Sequence, residues 1–377
     1  MTPSLPASAR QDFEIFAVAP PGFEPVLREE LDSAGFANPR AVPGGVATSG
    51  GWAEIHRANL VLRGASHILV RIAAFPAIHL SQLDKRARRV PWGAFLRPDI
   101  AVRVEAACAA SKIYHSGAAA QRVARAITEE LGAPVREDAT VRVLVRLDHD
   151  LCTVSLDTSG EPLHKRGHKL ATGKAPLREN LAALMLRACA YTGHEPVVDP
   201  MCGSGTLVLE AAEIAANLAP GRTRPFAFEQ LAGFDAAAWA TLRASLAPRV
   251  PDSRFLGFDR DAGAVTMATD NAARAGVSDW CRFAQAPVSA LAPPEGPPGL
   301  VVINPPYGAR LGEMKRLFPL YQALGRTLNE RFSGWRVGLL TTQTALAEST
   351  ALPFVKPLGP ILHGGLHVSL FTTAALP

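Results

Sequence analysis

Residues 196–219, PVVDPMCGSGTLVLEAAEIAANLA, decide how the chain is read. Val197 and Val198 run into Asp199 as a short buried strand. Gly203 and Gly205 then break the pattern. From Leu207 onward, apolar and small residues continue as a helix. The unit is strand, glycine loop, helix. Glycine allows the tight turn and lets a ligand approach the backbone. No lysine follows the glycines as in a P-loop, which argues against triphosphate binding. A tight turn without a ligand is the competing reading, so the neighbouring motifs must decide.

Toward the C-terminus the alternation repeats. APLRENLAALMLRACAY (175–191) precedes the unit as a helix of good formers. RFLGFDRDAGAVTMATDNAARAG (254–276) is a strand, a turn and a helix. GLVVINPPYG (299–308) is a strand, and MKRLFPLYQALGRTLNERF (314–332) a helix. WRVGLLTT (335–342) and LHVSLFTT (366–373) are final strands. Such alternation predicts an open, mostly parallel sheet covered on both faces. Ligands of such sheets bind outside the carboxyl ends of the strands. The polar motifs of this half sit at those ends.

Asp259 ends one strand, where a carboxylate can accept hydrogen bonds from two ribose hydroxyls. The alternative is a helix N-cap, a role that Asp261 fits better. The loop-to-acid distance far exceeds the roughly 20 residues of a simple βαβ unit. Residues 217–250 are therefore read as an insertion. Asn304-Pro305-Pro306-Tyr307 closes another strand. Two prolines cannot continue a ladder, having no N–H to donate. The Asn304 side-chain oxygen and the Pro305 carbonyl can both accept from one –NH₂ group. Two acceptors on a planar amine draw its lone pair out of conjugation. Rigid Pro305 and Pro306 hold that geometry, and Tyr307 offers a face for a stacked base. A proline-rich turn after a core strand is the alternative.

The first half reads differently. FEIFAVAPPGFEPVLREELDSAGF (13–36) is a strand, a Pro-Gly turn and a helix; AEIHRANLVLRGASHILVRIAAF (53–75) is a helix and a strand. IAVRVEAACA and VRVLVRLDHDLCTVSLDTSG alternate as strands, the latter turning at His149-Asp150. Between them lies a helix with Ser116 as N-cap and Gly132 as stop. Residues 159–174, rich in Gly, Lys and His, form a connector. No period of 20–50 residues repeats.

Composition sets the class. A chain of 377 residues with 48% hydrophobic and 19% charged residues is globular, long enough for two or three domains. Residues 1–175 hold 22 Lys/Arg against 18 Asp/Glu, and 176–377 hold 17 against 16, so the positive excess is N-terminal. That suits a polyanion partner, although an ordinary solvated surface accounts for the charge equally well. Five scattered cysteines contain no C-x-x-C pair, so zinc spacing is missing and a reducing compartment fits. The first residues lack the basic-then-apolar run expected of a signal peptide, and no apolar stretch reaches transmembrane length. The expectation is a soluble, cytoplasmic, monomeric protein without metal.

DPMCGSGT, a strand-end acid and NPPYG together resemble class I S-adenosylmethionine-dependent amino-methyltransferases. LHKRGHK…APLRENLAALMLRA, NLAPGR…FAFEQ and FDRDAGAVTMATDNAARAGV resemble, more closely, the THUMP-domain-containing RNA guanine-N2 methyltransferases, nearest to the ribosomal large-subunit branch. The likeness spans nearly the whole chain and is most specific over 161–312. It implies an α/β fold: a Rossmann-like seven-stranded methyltransferase sheet (176–377) preceded by ferredoxin-like (1–70) and THUMP (71–160) α+β domains and a linker (161–175).

Carried over by position, Asp199, Pro200, Met201, Cys202, Gly203, Ser204, Gly205 and Thr206 line the cofactor S-adenosylmethionine. Asp259 and Arg260 lie at its ribose, Pro176 and Leu177 close its far side, and Asn304 touches it. Asn304, Pro305, Pro306 and Tyr307 receive the target base. Pro287 stands where the family often has an acid for the adenine amine. The implied reaction is guanine-N2 methylation of structured RNA, most naturally 23S rRNA. Transfer RNA, adenine-N6 methylation, glutamine-N5 methylation of a protein, or a non-catalytic RNA-binding role are the alternatives. The expected phosphate contacts are Lys85, Arg86, Arg88 and Arg89; Lys112, Arg122 and Arg125; and Lys165, Arg166 and Lys169. Trp92 beside the first cluster is read as core.

Overall fold

The structure is a computed structural model, and it describes residues 12–169, 177–307 and 311–377, with the side chains of 311–314 left out. The chain forms two compact units. One comprises residues 12–18, 31–163 and 224–245; the other comprises 19–30, 164–223 and 246–377, of which the described part is meant here.

The first unit is built on β1 (Phe13–Val18), β2 (Ala37–Val42), β3 (Gly45–Gly50), β4 (Ile68–Pro76), β5 (Val102–Ala109), β6 (Val141–Asp148) and β7 (Leu151–Asp157). Its helices are α1 (Glu24–Ser33, whose start falls in the other unit), α2 (Trp52–Val61), α3 (Leu80–Ala87) and α4 (Ser116–Leu131). The strands make one seven-stranded sheet, ordered β2-β3-β1-β4-β7-β6-β5. The ferredoxin-like and THUMP segments thus share a continuous sheet, because β4 pairs with β1 along one edge and with β7 along the other. The β6–β7 turn is the expected His149-Asp150 pair, both with positive φ (49° and 63°), as a tight hairpin requires. Gly132 stops α4 in the left-handed conformation, φ 80°. The N-cap is His115, not Ser116: its ring accepts from the Ala118 N–H at 3.0 Å. Helix α3 escaped the sequence reading.

The insertion also departs from expectation. Residues 224–245 belong with the first unit, so the methyltransferase part is not continuous over 176–377. Phe226 stacks on Phe228, Trp239 meets both edge-on, and Phe228 lies 4.3 Å from the His56 ring. Burying these rings is what ties the segment down.

The second unit contains α5 (Glu179–Ala188), β8 (Val197–Asp199), α6 (Thr206–Ala215), β9 (Phe255–Asp259), α8 (Ala262–Ala275), β10 (Cys281–Gln285), β11 (Leu300–Ile303), α9 (Leu311–Arg331), β12 (Arg336–Thr341), α10 (Thr344–Glu348), β13 (Leu358–His363) and β14 (Leu366–Thr372); α7 (Ala236–Ala244) lies in the insertion. Its seven strands run β10-β9-β8-β11-β12-β14-β13. The first five are parallel; β14 is antiparallel to β12 and β13. Val198, Val301, Ile303, Val337 and Leu339 bury against Tyr321, Leu324 and Leu328 of α9 and Phe332 just after it. Strand order reverses between β8 and β11, which opens a crevice at their carboxyl ends.

Candidate active site

Three neighbouring strand ends, of β9, β8 and β11, carry the polar residues. Asp199 ends β8 and is 2% exposed; its Oδ1 accepts from the Met201 N–H at 3.0 Å. Asp259 ends β9. Its Oδ2 accepts from the Gly203 N–H and its Oδ1 from the Asp261 N–H, each at 3.0 Å. The acid of one strand thereby holds the glycine loop of the next. Gly203 (φ 52°) has open space where a Cβ would stand, whereas a Cβ on Gly205 (φ 83°) would meet Ala268 at 3.1 Å. One glycine leaves room for a ligand and the other lets α8 pack. From below, the buried Asn271 amide donates to the Ser204 carbonyl at 3.0 Å.

Burial, reinforced by the nearby charge of Asp259, pushes Asp199 up to about 8. The folded chain therefore holds a proton that the unfolded chain releases between about pH 4 and 8. Stability from this group falls as pH rises through that window. Asp199→Asn keeps an acceptor for Met201 and removes the titration. We expect its melting temperature to match the parent only at or below about pH 4 and to exceed it increasingly up to about pH 8. Parallel pH profiles would place Asp199 in its ionised form throughout.

Asn304 follows β11 directly. Its Oδ1 is buried and has no partner among the described residues. An unsatisfied buried acceptor costs about 1–3 kcal/mol, so its retention points to a ligand group. Pro305 is buried and Pro306 exposed. The fully buried Tyr321 of α9 donates to the Pro306 carbonyl at 3.3 Å and lies 3.3 Å from the Thr341 hydroxyl. This brace occupies the Pro306 carbonyl and leaves that of Pro305 with Asn304. Tyr307 is half-buried, and burial raises its hydroxyl to about 12, so it stays neutral.

Open space over Gly203, a carboxylate on its N–H and, at the end of the next strand, an amide oxygen without a partner among the described residues fit a nucleoside cofactor carrying a reactive group. Pro200, Met201, Cys202, Ser204 and Thr206 form the loop itself. Arg260 is exposed beside Asp259, and its carbonyl accepts from the Gln285 amide at 2.9 Å. Pro287 opens a single 3₁₀ turn after β10 and offers no carboxylate. Leu177 is buried and its carbonyl accepts from Lys169 at 2.7 Å. Pro176 lies outside the described residues.

The expected phosphate contacts divide. Lys85, Arg89, Lys112 and Arg122 lie on the first unit. Arg86 donates to the Pro76 carbonyl at 2.5 Å. Arg88 is held by Asp84 and Glu129 at 2.9 and 2.5 Å, and Arg125 by Glu129 at 2.6 Å. Lys165 lies on the connector. Two expectations are corrected. Arg166 is 2% exposed and paired with Glu210 at 2.7 Å; Lys169 has its side chain 7% exposed, 3.6 Å from Glu179. Both fix the connector to the second unit and are withheld from solvent. Trp92 is core, its indole donating to the Ala87 carbonyl at 2.9 Å. Tyr321, Asn271 and Arg274, which donates to the His168 carbonyl at 2.8 Å, had no local signal. Each looks like an ordinary helix residue in sequence.

Among the described residues, no group of three or more His, Cys, Asp and Glu could hold a metal ion, and no helix is long and apolar enough to cross a membrane.

Three family descriptions match the chain: an RlmL ferredoxin-like domain over 14–69, a THUMP domain over 78–157, and an RMKL-like methyltransferase domain over 166–353. The ribosomal RNA large subunit methyltransferase K/L of Methylococcus capsulatus is 37% identical over 89% of this chain and 47% of its own. The chain spans about half the length of the curated relatives it matches. Among solved structures, the methyltransferase SMU.472 in complex with SAH is 28% identical, with TM-score 0.86 over 98% of this chain and 100% of its own. A predicted N6-adenine-specific DNA methylase from Listeria monocytogenes is 29% identical, with TM-score 0.86 over 97% of both chains.

Proposed function

From the premise that the chain belongs to the THUMP-domain-containing methyltransferases, with RlmL ferredoxin-like, THUMP and RMKL-like methyltransferase domains, we propose that it methylates the exocyclic N2 amine of a guanine in structured RNA, 23S rRNA by preference. The observation that carries the chemistry is the buried Oδ1 of Asn304, which has no partner among the described residues. Two acceptors at one strand end suit an –NH₂ group with two hydrogens to give. The large-subunit names of the curated relatives favour ribosomal RNA over the other amines.

Asp199, Gly203, Gly205 and Asp259 would hold S-adenosylmethionine. Each Asp259 oxygen already accepts one backbone N–H and retains a lone pair for a ribose hydroxyl. When bound, the cofactor supplies a methyl group activated by its sulfonium. Asn304 and Pro305 orient the amine and pull its lone pair out of the ring. Tyr307 stacks on the base, which must leave its own stack to reach the loop. After transfer the nitrogen is cationic and acidic enough to lose its proton to water or to the Pro305 carbonyl. No strong base is needed in the pocket.

The experiment is mass spectrometry of nuclease-digested rRNA from a strain lacking the gene. One large-subunit fragment should lose N2-methylguanosine and regain it when the gene returns. Unchanged rRNA with a methyl lost from transfer RNA, or a lost N6-methyladenosine, would reassign the substrate.

A further inference from the structure

Tyr114 stands out in the first unit. It is 86% exposed, while its neighbour Ile113 is 5% exposed and anchors the same loop. A large ring left in water on a mobile loop would mean little. This loop is braced. The Ser111 hydroxyl donates to the Ala109 carbonyl at 2.8 Å and accepts from the Asp150 N–H at 3.0 Å. The Lys112 N–H donates to Asp150 Oδ1 at 2.7 Å. After the loop, His115 turns its ring back onto the Ala118 N–H. The ring of Tyr114 is therefore displayed from a pinned support, at little conformational cost on binding.

The surroundings are cationic. Lys112 and His115 flank the ring in sequence and are exposed. Arg122 lies seven residues after His115, on the same side of α4. The first turn of α4 carries no acid. Of the acids near the loop, Asp150 accepts the Lys112 backbone N–H at 2.7 Å, and Asp148 pairs with Arg146 and His149, each at 2.8 Å. The acids of α4, Glu129 and Glu130, stand at its far end beside Arg88 and Arg125. An exposed ring with Lys112, His115 and Arg122 near it suits a polyanion that also offers flat apolar faces.

We propose that Tyr114 is a stacking platform for an unpaired nucleobase of the RNA, with Lys112 and Arg122 taking the adjoining phosphates. The inference rests on the RNA reading above. It adds that the first unit grips a loop, bulge or single-stranded flank, since a paired base has no face to give. Base–aromatic stacking is tolerant of sequence, so Tyr114 contributes grip and register, not choice of base.

The test measures binding of the full-length chain to two fluorescent RNAs, a stem-loop with an unpaired loop and a blunt duplex of equal length, across a salt series. Tyr114→Ala should weaken stem-loop binding roughly 5- to 150-fold, with the salt slope unchanged, because stacking releases no counterions. Tyr114→Trp should restore it. Lys112→Ala should instead lower the salt slope by about one. Duplex binding should not respond to Tyr114. Unchanged stem-loop affinity in Tyr114→Ala, or equal losses on both RNAs, overturns the platform while leaving the enzyme reading intact. A parent chain that binds neither RNA overturns both. The side chain is exposed, so the variants should fold.

Discussion

Asn304→Ala should cut methyl transfer by about 10³-fold or more while leaving cofactor affinity nearly unchanged. Under the proposed function, the substitution removes one of the two acceptors assigned to the amine. The remaining carbonyl of Pro305 lets the nucleophile swing, and a misplacement of about 1 Å can cost roughly 10²-fold by itself. Stability should behave in the opposite sense. Asn304 Oδ1 is buried without a partner among the described residues, so deleting it removes a desolvation cost, and the melting temperature should hold or rise. Asn304→Asp restores an acceptor and should recover part of the rate. The readouts are single-turnover transfer to unmodified 23S transcript, calorimetry with S-adenosylmethionine, and thermal melting. Equal losses of transfer and cofactor binding would move Asn304 out of the amine-binding role and into the cofactor's own contacts.

Arg166→Ala should destabilise the protein by about 3–5 kcal/mol. The guanidinium is buried against Glu210 at 2.7 Å and Glu213 at 3.6 Å, and those acids are 2% and 0% exposed. Arg222 shares Glu213 at 2.6 Å, yet Glu210 would be left as a buried charge without its Arg166 partner. The cost arises from the buried Glu210 charge losing this pairing more than from the lost attraction. Arg166→Met combined with Glu210→Leu should therefore recover most of the loss. Urea denaturation of the full chain reads the effect, in the transition of the second unit. A single variant as stable as the parent would mean that the connector is solvated after all, and Arg166 would return to the candidates for RNA contact. RNA affinity should not fall in the double variant, because Arg166 does not reach solvent.

Much of the site was legible because it is built from strand ends. Asp199, Asp259 and Asn304 each follow a short apolar run, and each is punctuated by glycine or proline. Those signals are local: a strand must end where the ladder loses its donor or the backbone turns. In a parallel sheet all such ends point the same way. The register of β9, β8 and β11 then does the rest. The residues that support the site gave no comparable sign. Tyr321 braces the Pro306 carbonyl from the middle of α9, and Asn271 holds Ser204 from α8. Their spacing is that of any amphipathic helix.

The amino-acid sequence alone determined the order of strands and helices, the acids and the amide at three strand ends, and the kind of chemistry those groups can perform. Hydrophobic period and backbone punctuation act over a few residues, so they survive without coordinates. Tertiary structure alone decided that the first seven strands form one sheet, that residues 224–245 fold with it, and which cations are spent inside the protein. Arg166 and Glu210 are 44 residues apart. A lysine or arginine in a basic run looks the same whether it meets a phosphate or a buried carboxylate. Only the folded path brings the partner within the few ångströms over which desolvation and Coulomb attraction settle its role.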